Sequence, residues 1–493
     1  MNSKSEINIK FGTDGFRGII SKDFTYQAAA VITTAIADYI YSKKLKLKTA
    51  VFYDRRFLSD KYADYIAKIF SQYSISVDIS SVALPTPALS YYVKSSKAAL
   101  GVMITASHNS YEYNGIKIKT PEGCSAPAAV IEEIQKRTDA VINGEFDAQN
   151  FIKTNSIKKT GVIKRIDPVE AYLDNIAGAL DIQVLKKASG RFLINPMYGS
   201  QAGLFKKFTE KFGLKIKSDE IFAAHNPLFP GFNPEPIAAN LTEMSAIISS
   251  KKGSKKYEAG FCFDGDGDRI GAMTSRGVFV SPQIIFALLL RHLVKNKKRR
   301  GAVAKTVSVT ALVSRIAQKN GLKLNETPIG FKYIAELMLD KSKNIMIGGE
   351  ESGGIGLDSY LPERDGLFLA LCLLEVIAFE KKPLEEVIED LFDEYGRYIY
   401  DRIDFKFNDN KFNEIKKKLG NEKLSEICGF EVDGYNTTDG YKYFLSDDSW
   451  ILFRFSGTEP VLRIYAEAPV KNKKDENKVK NLLKFAKNYL HIN

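Results

Sequence analysis

The densest chemistry in the chain is Asp264-Gly-Asp-Gly-Asp-Arg269. Three carboxylates at alternate positions, with glycines between them, let the backbone curl until their oxygens converge. A hard cation such as magnesium needs oxygen ligands of this kind, often a few carboxylates and a phosphate oxygen. An EF-hand is excluded, because its sixth position should be Gly and is Arg269, and its twelfth should be Glu and is Ser275. Aspartates this close together repel one another unless a cation offsets them.

Thr105-Ala-Ser-His-Asn109 is the candidate nucleophile segment. A serine at a strand end in a polar loop is placed to present its hydroxyl, and His108 beside it can assist proton transfer. By itself such a serine reads more readily as a turn or capping residue. No Gly-x-Ser-x-Gly elbow accompanies it, which disfavours a hydrolase triad. His225, His292 and His491 fall in no catalytic arrangement. Arg454-Phe-Ser-Gly-Thr-Glu-Pro460, followed by Arg463, combines a glycine turn, hydroxyls at Ser456 and Thr458, and guanidinium forks. That set describes a phosphate cradle without the Walker spacing. Gly348-Gly-Glu-Glu-Ser-Gly-Gly354 offers carboxylates and a hydroxyl suited to vicinal sugar hydroxyls. Phe11-Gly-Thr-Asp-Gly-Phe-Arg-Gly18 sets Arg17 between glycines, where an anion can approach.

The elements that must position these loops alternate between strand-like and helix-like patterns over the first three-quarters of the chain, as α/β layers require. Thr49–Tyr53, Ala99–Ile104, Ile116–Lys119, Arg191–Asn195, Glu258–Phe263, Gly301–Ser308 and Lys343–Ile347 read as strands. Tyr62–Gln72, Arg165–Ala179, Gln283–Val294 and Leu367–Phe379 read as helices. From about Glu394 the texture changes. Tyr398–Phe407, Trp450–Phe455 and Leu462–Ala468 read as strands and Asn477–Leu490 as a terminal helix. The units expected are 1–163, 164–276, 277–393 and 394–493. No self-similar period is visible in the sequence.

At 493 residues the chain is too long for one core. Its 44% hydrophobic and 26% charged residues are those of a globular protein. No apolar run is long enough for a membrane span, and the polar start, Met1–Lys10, lacks a secretory signal. Four scattered cysteines suggest neither zinc nor disulfides, so a cytoplasmic setting is expected. The net charge of +12 is spread along the chain. No aromatic-interleaved basic module appears, so nucleic acid is not expected as a partner.

Taken together and in order, these segments resemble the α-D-phosphohexomutase family, most of all its phosphoglucomutase members. The match runs from Phe11 to Arg463. The resemblance implies three related mixed-sheet α/β domains and a smaller C-terminal α+β domain around a central cleft. It implies that Ser107 is carried as a phosphoserine, with one magnesium held by Ser107, Asp264, Asp266 and Asp268. Arg17, His108, Lys117 and Arg269 match positions lining the transfer site, with Lys117 preferred for proton handling. Glu350 and Ser352 match sugar-hydroxyl contacts. Arg454, Ser456, Gly457, Thr458 and Arg463 match the loop holding the non-reacting phosphate. Lys305 is a weaker substrate-binding candidate, as readily a surface lysine at a strand end. Gly330-Phe-Lys-Tyr333, with Lys332, resembles the glucose enzymes' version, and Arg364 matches a basic position in them. The dual-specificity members carry histidines at the positions of Phe331 and Gly354. The activity implied is interconversion of glucose 1-phosphate and glucose 6-phosphate through glucose 1,6-bisphosphate, by a monomer or homodimer. The alternatives are phosphomannomutase or dual specificity, and more remotely a non-catalytic sugar-phosphate-binding protein.

Overall fold

The computed structural model describes residues 8–12, 14–250, 257–456 and 460–491. Its strands form four sheets. In the first, Leu100–Ile104, Lys48–Tyr53 and Ser76–Ser80 run parallel, and Tyr113–Lys119 returns antiparallel beside Leu100–Ile104. The second repeats this order with Ala259–Phe263, Ser189–Asn195 and Lys215–Glu220 parallel and Ile270–Thr274 antiparallel. The third repeats it again with Ile345–Gly349, Ala302–Thr306 and Leu324–Thr327 parallel and Ile355–Leu357 antiparallel. The repetition that no sequence period reveals is therefore topological.

Lys48–Tyr53, Leu100–Ile104, Ala259–Phe263 and Ile345–Gly349 are almost wholly buried and mainly apolar, as strands covered on both faces require. The functional segments leave the carboxyl ends of equivalent strands. Ser107 follows Leu100–Ile104, Asp264 follows Ala259–Phe263, and Glu350 follows Ile345–Gly349. Ligands of open α/β sheets bind at such ends.

The fourth sheet is antiparallel throughout, from Arg397–Lys406 to Glu426–Ile427, with the helix Lys478–Tyr489 packed on it. The chain thus has three mixed-sheet α/β domains and a smaller C-terminal α+β domain. Two apolar helices, Pro282–Lys295 and Gly366–Glu380, join one large core that reaches from Phe52 of the first sheet to Leu391. No helix among the described residues is long and apolar enough to cross a membrane.

Two expectations are corrected. Arg165 and Ile166 do not begin a helix. Ile163–Ile166 pairs with Ser76–Ser80 as an outer parallel strand, beyond the boundary expected at residue 163, and the helix is Val169–Gly178. Pro168 explains the shift, since it disfavours helical backbone at the residue before it and suits a helix start. Lys305 is not a surface lysine: it is 2% exposed, because the strand Ala302–Thr306 is central in its sheet.

Leu371 lies in a stretch of Gly366–Glu380 that is buried on every face. Leu371→Ala should destabilise the protein by about 2–5 kcal/mol through lost transfer energy and a residual cavity. A clear fall in thermal midpoint checks this, and an unchanged midpoint would show that the site collapses freely.

Candidate active site

Ser107 sits at φ +55°, in the left-handed region, at the tip of the loop after Leu100–Ile104. A serine stays there only if its surroundings hold it. Its backbone N–H donates to Thr105 Oγ1 (2.8 Å), and Thr105 Oγ1 donates to Asp54. Arg56, 3% exposed, donates to four carbonyls of the loop: Ser107 (2.6 Å), Asn109 (2.7 Å), Ser110 (2.8 Å) and Tyr113 (3.0 Å). One guanidinium therefore substitutes for the hydrogen bonds that a regular element would supply. Arg17 Nη1 donates to Asn109 Oδ1 (2.7 Å) in the same loop.

The Ser107 hydroxyl donates to Asp264 Oδ2 at 3.0 Å, and the His108 ring Nδ1 lies 3.4 Å from the same Oγ. Asp264, Asp266 and Asp268 are fully buried, with one carboxylate oxygen of each lying within 4.8 Å of the others. Asp264 Oδ1 accepts from the backbone N–H groups of Asp268 (3.0 Å) and Arg269 (3.1 Å), which curls the loop. Gly265 is required by closeness: a Cβ there would lie 2.5 Å from the Ser107 carbonyl oxygen.

Cations from two other directions meet this charge. Lys117, on the antiparallel strand Tyr113–Lys119, pairs with Asp266 (2.8 Å), Asp14 (2.9 Å) and Asp268 (3.2 Å). Arg364 reaches Asp268 (2.5 Å), Asp14 (3.0 Å) and Glu350 (3.1 Å). Gly354 makes room for it, since a Cβ there would collide with Arg364 Cδ, and the Phe331 ring lies 5.5 Å from its guanidinium. Phe331 and Gly354, where the dual-specificity pattern would have histidines, thus border Arg364. Arg269 approaches Asp264 (3.7 Å) and Asp268 (3.9 Å).

Burial disfavours the charged Lys117, but Asp14, Asp266 and Asp268 more than offset it and its pKa is raised. Asp266 is lowered despite burial, chiefly by Lys117. Asp264 is pushed well up, first by burial and then by Asp268 and Asp266. His108 is held well below its ordinary range by burial and by Arg269 and Arg17, so its imidazole is neutral. Among the described residues, Asp266 Oδ1 and Asp268 Oδ1 are buried without a hydrogen-bond partner. Orphaned carboxylate oxygens beside a carboxylate driven toward its neutral form fit a divalent cation bound by Asp264, Asp266 and Asp268.

Of the remaining expected residues, Glu350 joins the aspartates through Arg364, and the others lie apart from them. Glu350 is buried, and Ser352 is half-buried in the same loop. Lys332 stands in the first turn of the helix Phe331–Leu339, over the Tyr333 ring. Lys305 is directed at the Val309 and Thr310 carbonyls (3.2 and 3.4 Å) and Glu326 (3.3 Å), not at the aspartates. In the fourth sheet Arg454 and Arg463 are direct cross-strand partners. Like charges opposite one another are unfavourable, and carboxylates offset them here: Asp439 lies 2.9 Å from Arg454 and Asp404 3.6 Å from Arg463. The Ser456 N–H donates to the Val461 carbonyl (2.8 Å). Gly457 and Thr458 lie outside the described residues.

Sequence reasoning missed Asp14, Asp54, Arg56 and Thr86, whose hydroxyl donates to Asp266 (2.5 Å). Asp54-Arg55-Arg56 carried a readable signal: charged residues directly after the buried strand Lys48–Tyr53, as Asp264 follows its own strand.

Models of phosphoglucomutase/phosphomannomutase alpha/beta/alpha domains I, II and III match residues 8–144, 170–277 and 281–395, and the C-terminal domain of the same family matches 404–482. A phosphoglucomutase/phosphomannomutase of Thermococcus kodakarensis is 29% identical, over 94% of this chain and 96% of its own. A phosphoglucosamine/phosphogalactosamine mutase of Sulfurisphaera tokodaii is 30% identical, over 96% and 97%. The crystal structure of a Thermus thermophilus protein assigned as a phosphomannomutase superposes with a TM-score of 0.84 at 31% identity, covering 98% of this chain and 99% of that one.

Asp54 holds the Ser107 loop through Thr105 and Arg56, and burial pushes its carboxyl up from 3.8 to about 6. Its neutral form is favoured by folding. The stabilisation is therefore complete below pH 3.8 and lost as pH rises through about 6. Thermal midpoints measured across that interval should fall more steeply with rising pH in the wild type than in Asp54→Asn. Equal slopes would show that Asp54 does not titrate there.

Proposed function

The chain belongs to the phosphoglucomutase/phosphomannomutase family, and from that premise we propose that it interconverts glucose 1-phosphate and glucose 6-phosphate through a phosphorylated Ser107. The observation that carries this reading is the hydrogen bond from Ser107 Oγ to Asp264, inside a buried aspartate cluster that Lys117 and Arg364 face from other elements. A relay serine needs that company: cations to offset a dianionic phosphate and fixed groups to aim it.

Magnesium held by Asp264, Asp266, Asp268 and the Ser107 phosphate would supply the charge stabilisation that draws the phosphoryl group through its transition state. The residues do the rest. Arg56 and Arg17 hold the Ser107 loop in place, and Arg269 and Lys117 offset the charge of the transferring group. The bond from phosphorus to Ser107 Oγ breaks as the bond to the sugar oxygen forms. The sugar hydroxyl's proton is accounted for through Lys117: its ammonium gives a proton to Ser107 Oγ as the phosphorus bond breaks and regains one from the sugar hydroxyl. Glu350 and Ser352 take the sugar hydroxyls, and Arg364 and Lys332 contribute on the same side. Arg454, Arg463 and Ser456, with Gly457 and Thr458, hold the phosphate that does not react. Lys305, on the central strand of the third sheet, is a further substrate-binding residue. The glucose 1,6-bisphosphate so formed turns end for end and returns its other phosphate to Ser107. The chain ends each cycle phosphorylated.

The glucose preference rests on Phe331 and Gly354, which leave Arg364 to border the sugar side. Discrimination between epimers depends on a few hydroxyl contacts.

Ser107→Ala should lower multiple-turnover activity with glucose 1-phosphate by about a thousandfold or more, since the covalent relay is lost. Undiminished turnover would remove Ser107 from the reaction. Wild-type kcat/KM should be highest for glucose 1-phosphate among the 1-phosphates of glucose, mannose and glucosamine. Equal values for glucose and mannose would replace the preference with dual specificity.

A further inference from the structure

The fourth domain is joined covalently to the third through Gly396, between the helix Leu384–Tyr395 and the strand Arg397–Lys406. On the link side of the sheet the two domains are anchored together, by an apolar cluster of Val307 with Trp450, Leu452 and Tyr465 and by polar contacts. Glu467, in register with both Tyr400 and Trp450, accepts from the Ala311 N–H (2.7 Å), at the first residue of the helix Ala311–Lys319, and from Trp450 Nε1 (2.7 Å). A carboxylate at a helix N-terminus is a favourable, directional contact. Lys442 adds a bond to the Val307 carbonyl (2.7 Å).

Arg454 stands four residues along the strand from Trp450, about 14 Å farther from this anchor. There a second contact is made. Asp439 Oδ2 accepts from Arg454 Nε and from the Ile329 N–H, both at 2.9 Å. Asp439 lies in the turn between Phe430–Asn436 and Tyr441–Leu445, and Asn436 of the same hairpin donates to Glu326 Oε2 (3.1 Å). Ile329 belongs to the loop leading into Phe331–Leu339, whose Phe331 borders Arg364. A single carboxylate oxygen therefore joins the arginine of the phosphate cradle to the loop beside the sugar site. A rotation about Gly396 displaces this contact more than the contacts at Glu467, which lie nearer the link.

We infer that Asp439 is a positioning residue that latches the fourth domain onto the third and keeps the bisphosphate enclosed while it turns end for end. The inference rests on the proposed reaction, because only an intermediate that must reorient without leaving needs such a latch. The bond is made at Nε, at the base of the guanidinium fork, so Asp439 aims Arg454 as it closes the domain. Both effects are lost with the carboxylate.

The test uses the full chain in two measurements. In the first, Ser107-phosphorylated enzyme carrying radiolabelled phosphate is mixed with excess unlabelled glucose 1-phosphate, and free labelled bisphosphate is counted per turnover. Asp439→Ala should raise this release, and the bisphosphate concentration needed for half-maximal rate, by roughly tenfold or more, the scale of a lost charge-assisted hydrogen bond. Asp439→Asn keeps an acceptor for the Ile329 amide and should fall between. The second measurement is hydrogen exchange at the Ile329 amide, which should quicken in Asp439→Ala whether or not the enzyme turns over. A melting temperature near the wild-type value identifies the effect as local. Unchanged release with faster exchange would remove the retention role. Unchanged exchange would overturn the latch itself. Absence of phosphosugar turnover in the wild type would instead bring down the proposed reaction, and the retention role with it.

Discussion

Five carboxylates, four of them buried (Asp264, Asp266, Asp268 and Glu350) and one partly exposed (Asp14), meet at one place, and the architecture around them is governed by how that charge is offset. Removing charges from water is costly, and it is tolerated only when opposite charges and hydrogen bonds replace the water. Lys117 and Arg364 supply this for four of the five by direct ion pairs, and Arg269 approaches the aspartates from a further side. These groups come from three domains. The network therefore fixes how the domains sit together as well as what they enclose, and loss of Lys117 or Arg364 would leave uncompensated charge at a domain junction.

The threefold repetition of strand order explains how such a network is assembled. Each α/β domain presents its loop between a buried parallel strand and the antiparallel strand that follows it. Three copies facing one another bring three loops to a common point, and each loop has taken a different role: the serine in the first, the aspartates in the second, the glutamate in the third. The buried strands hold the loops still, and Arg56 adds rigidity where the Ser107 backbone is strained. Preorganisation of this kind is what phosphoryl transfer demands, because positioning and charge provide most of the acceleration.

The fourth domain is built on another principle. Its antiparallel sheet sets Arg454 opposite Arg463, with Asp439 and Asp404 beside them, and meets the third domain through a small apolar cluster of Val307, Trp450, Leu452 and Tyr465 and through polar contacts at Glu467, Lys442 and Asp439. A junction of this size, part polar and part apolar, can be broken and remade more readily than the large hydrophobic core that the first three domains share.

The order of residues alone was enough to show which atoms could do chemistry. Short motifs carry their own geometry: alternate aspartates with glycines converge wherever they lie, and a serine after a buried strand is presented at its end. Alternating apolar patterns likewise revealed the α/β layers and the change of texture near Glu394, since burial of a strand or helix face is written in local periodicity. The same patterns misplaced Arg165 and Ile166 in a helix, because an outer strand with one partner leaves a weak signal that Pro168 ends. Tertiary packing was needed to establish that Arg56 holds four carbonyls, that Asp14 and Arg364 meet across 350 residues of chain, that Lys305 is buried, and that one oxygen of Asp439 joins two domains. The physical reason is common to all four. An isolated charged residue looks the same in sequence whether it faces water or a partner, and the partner is chosen by the packing of sheets whose repetition no sequence period records.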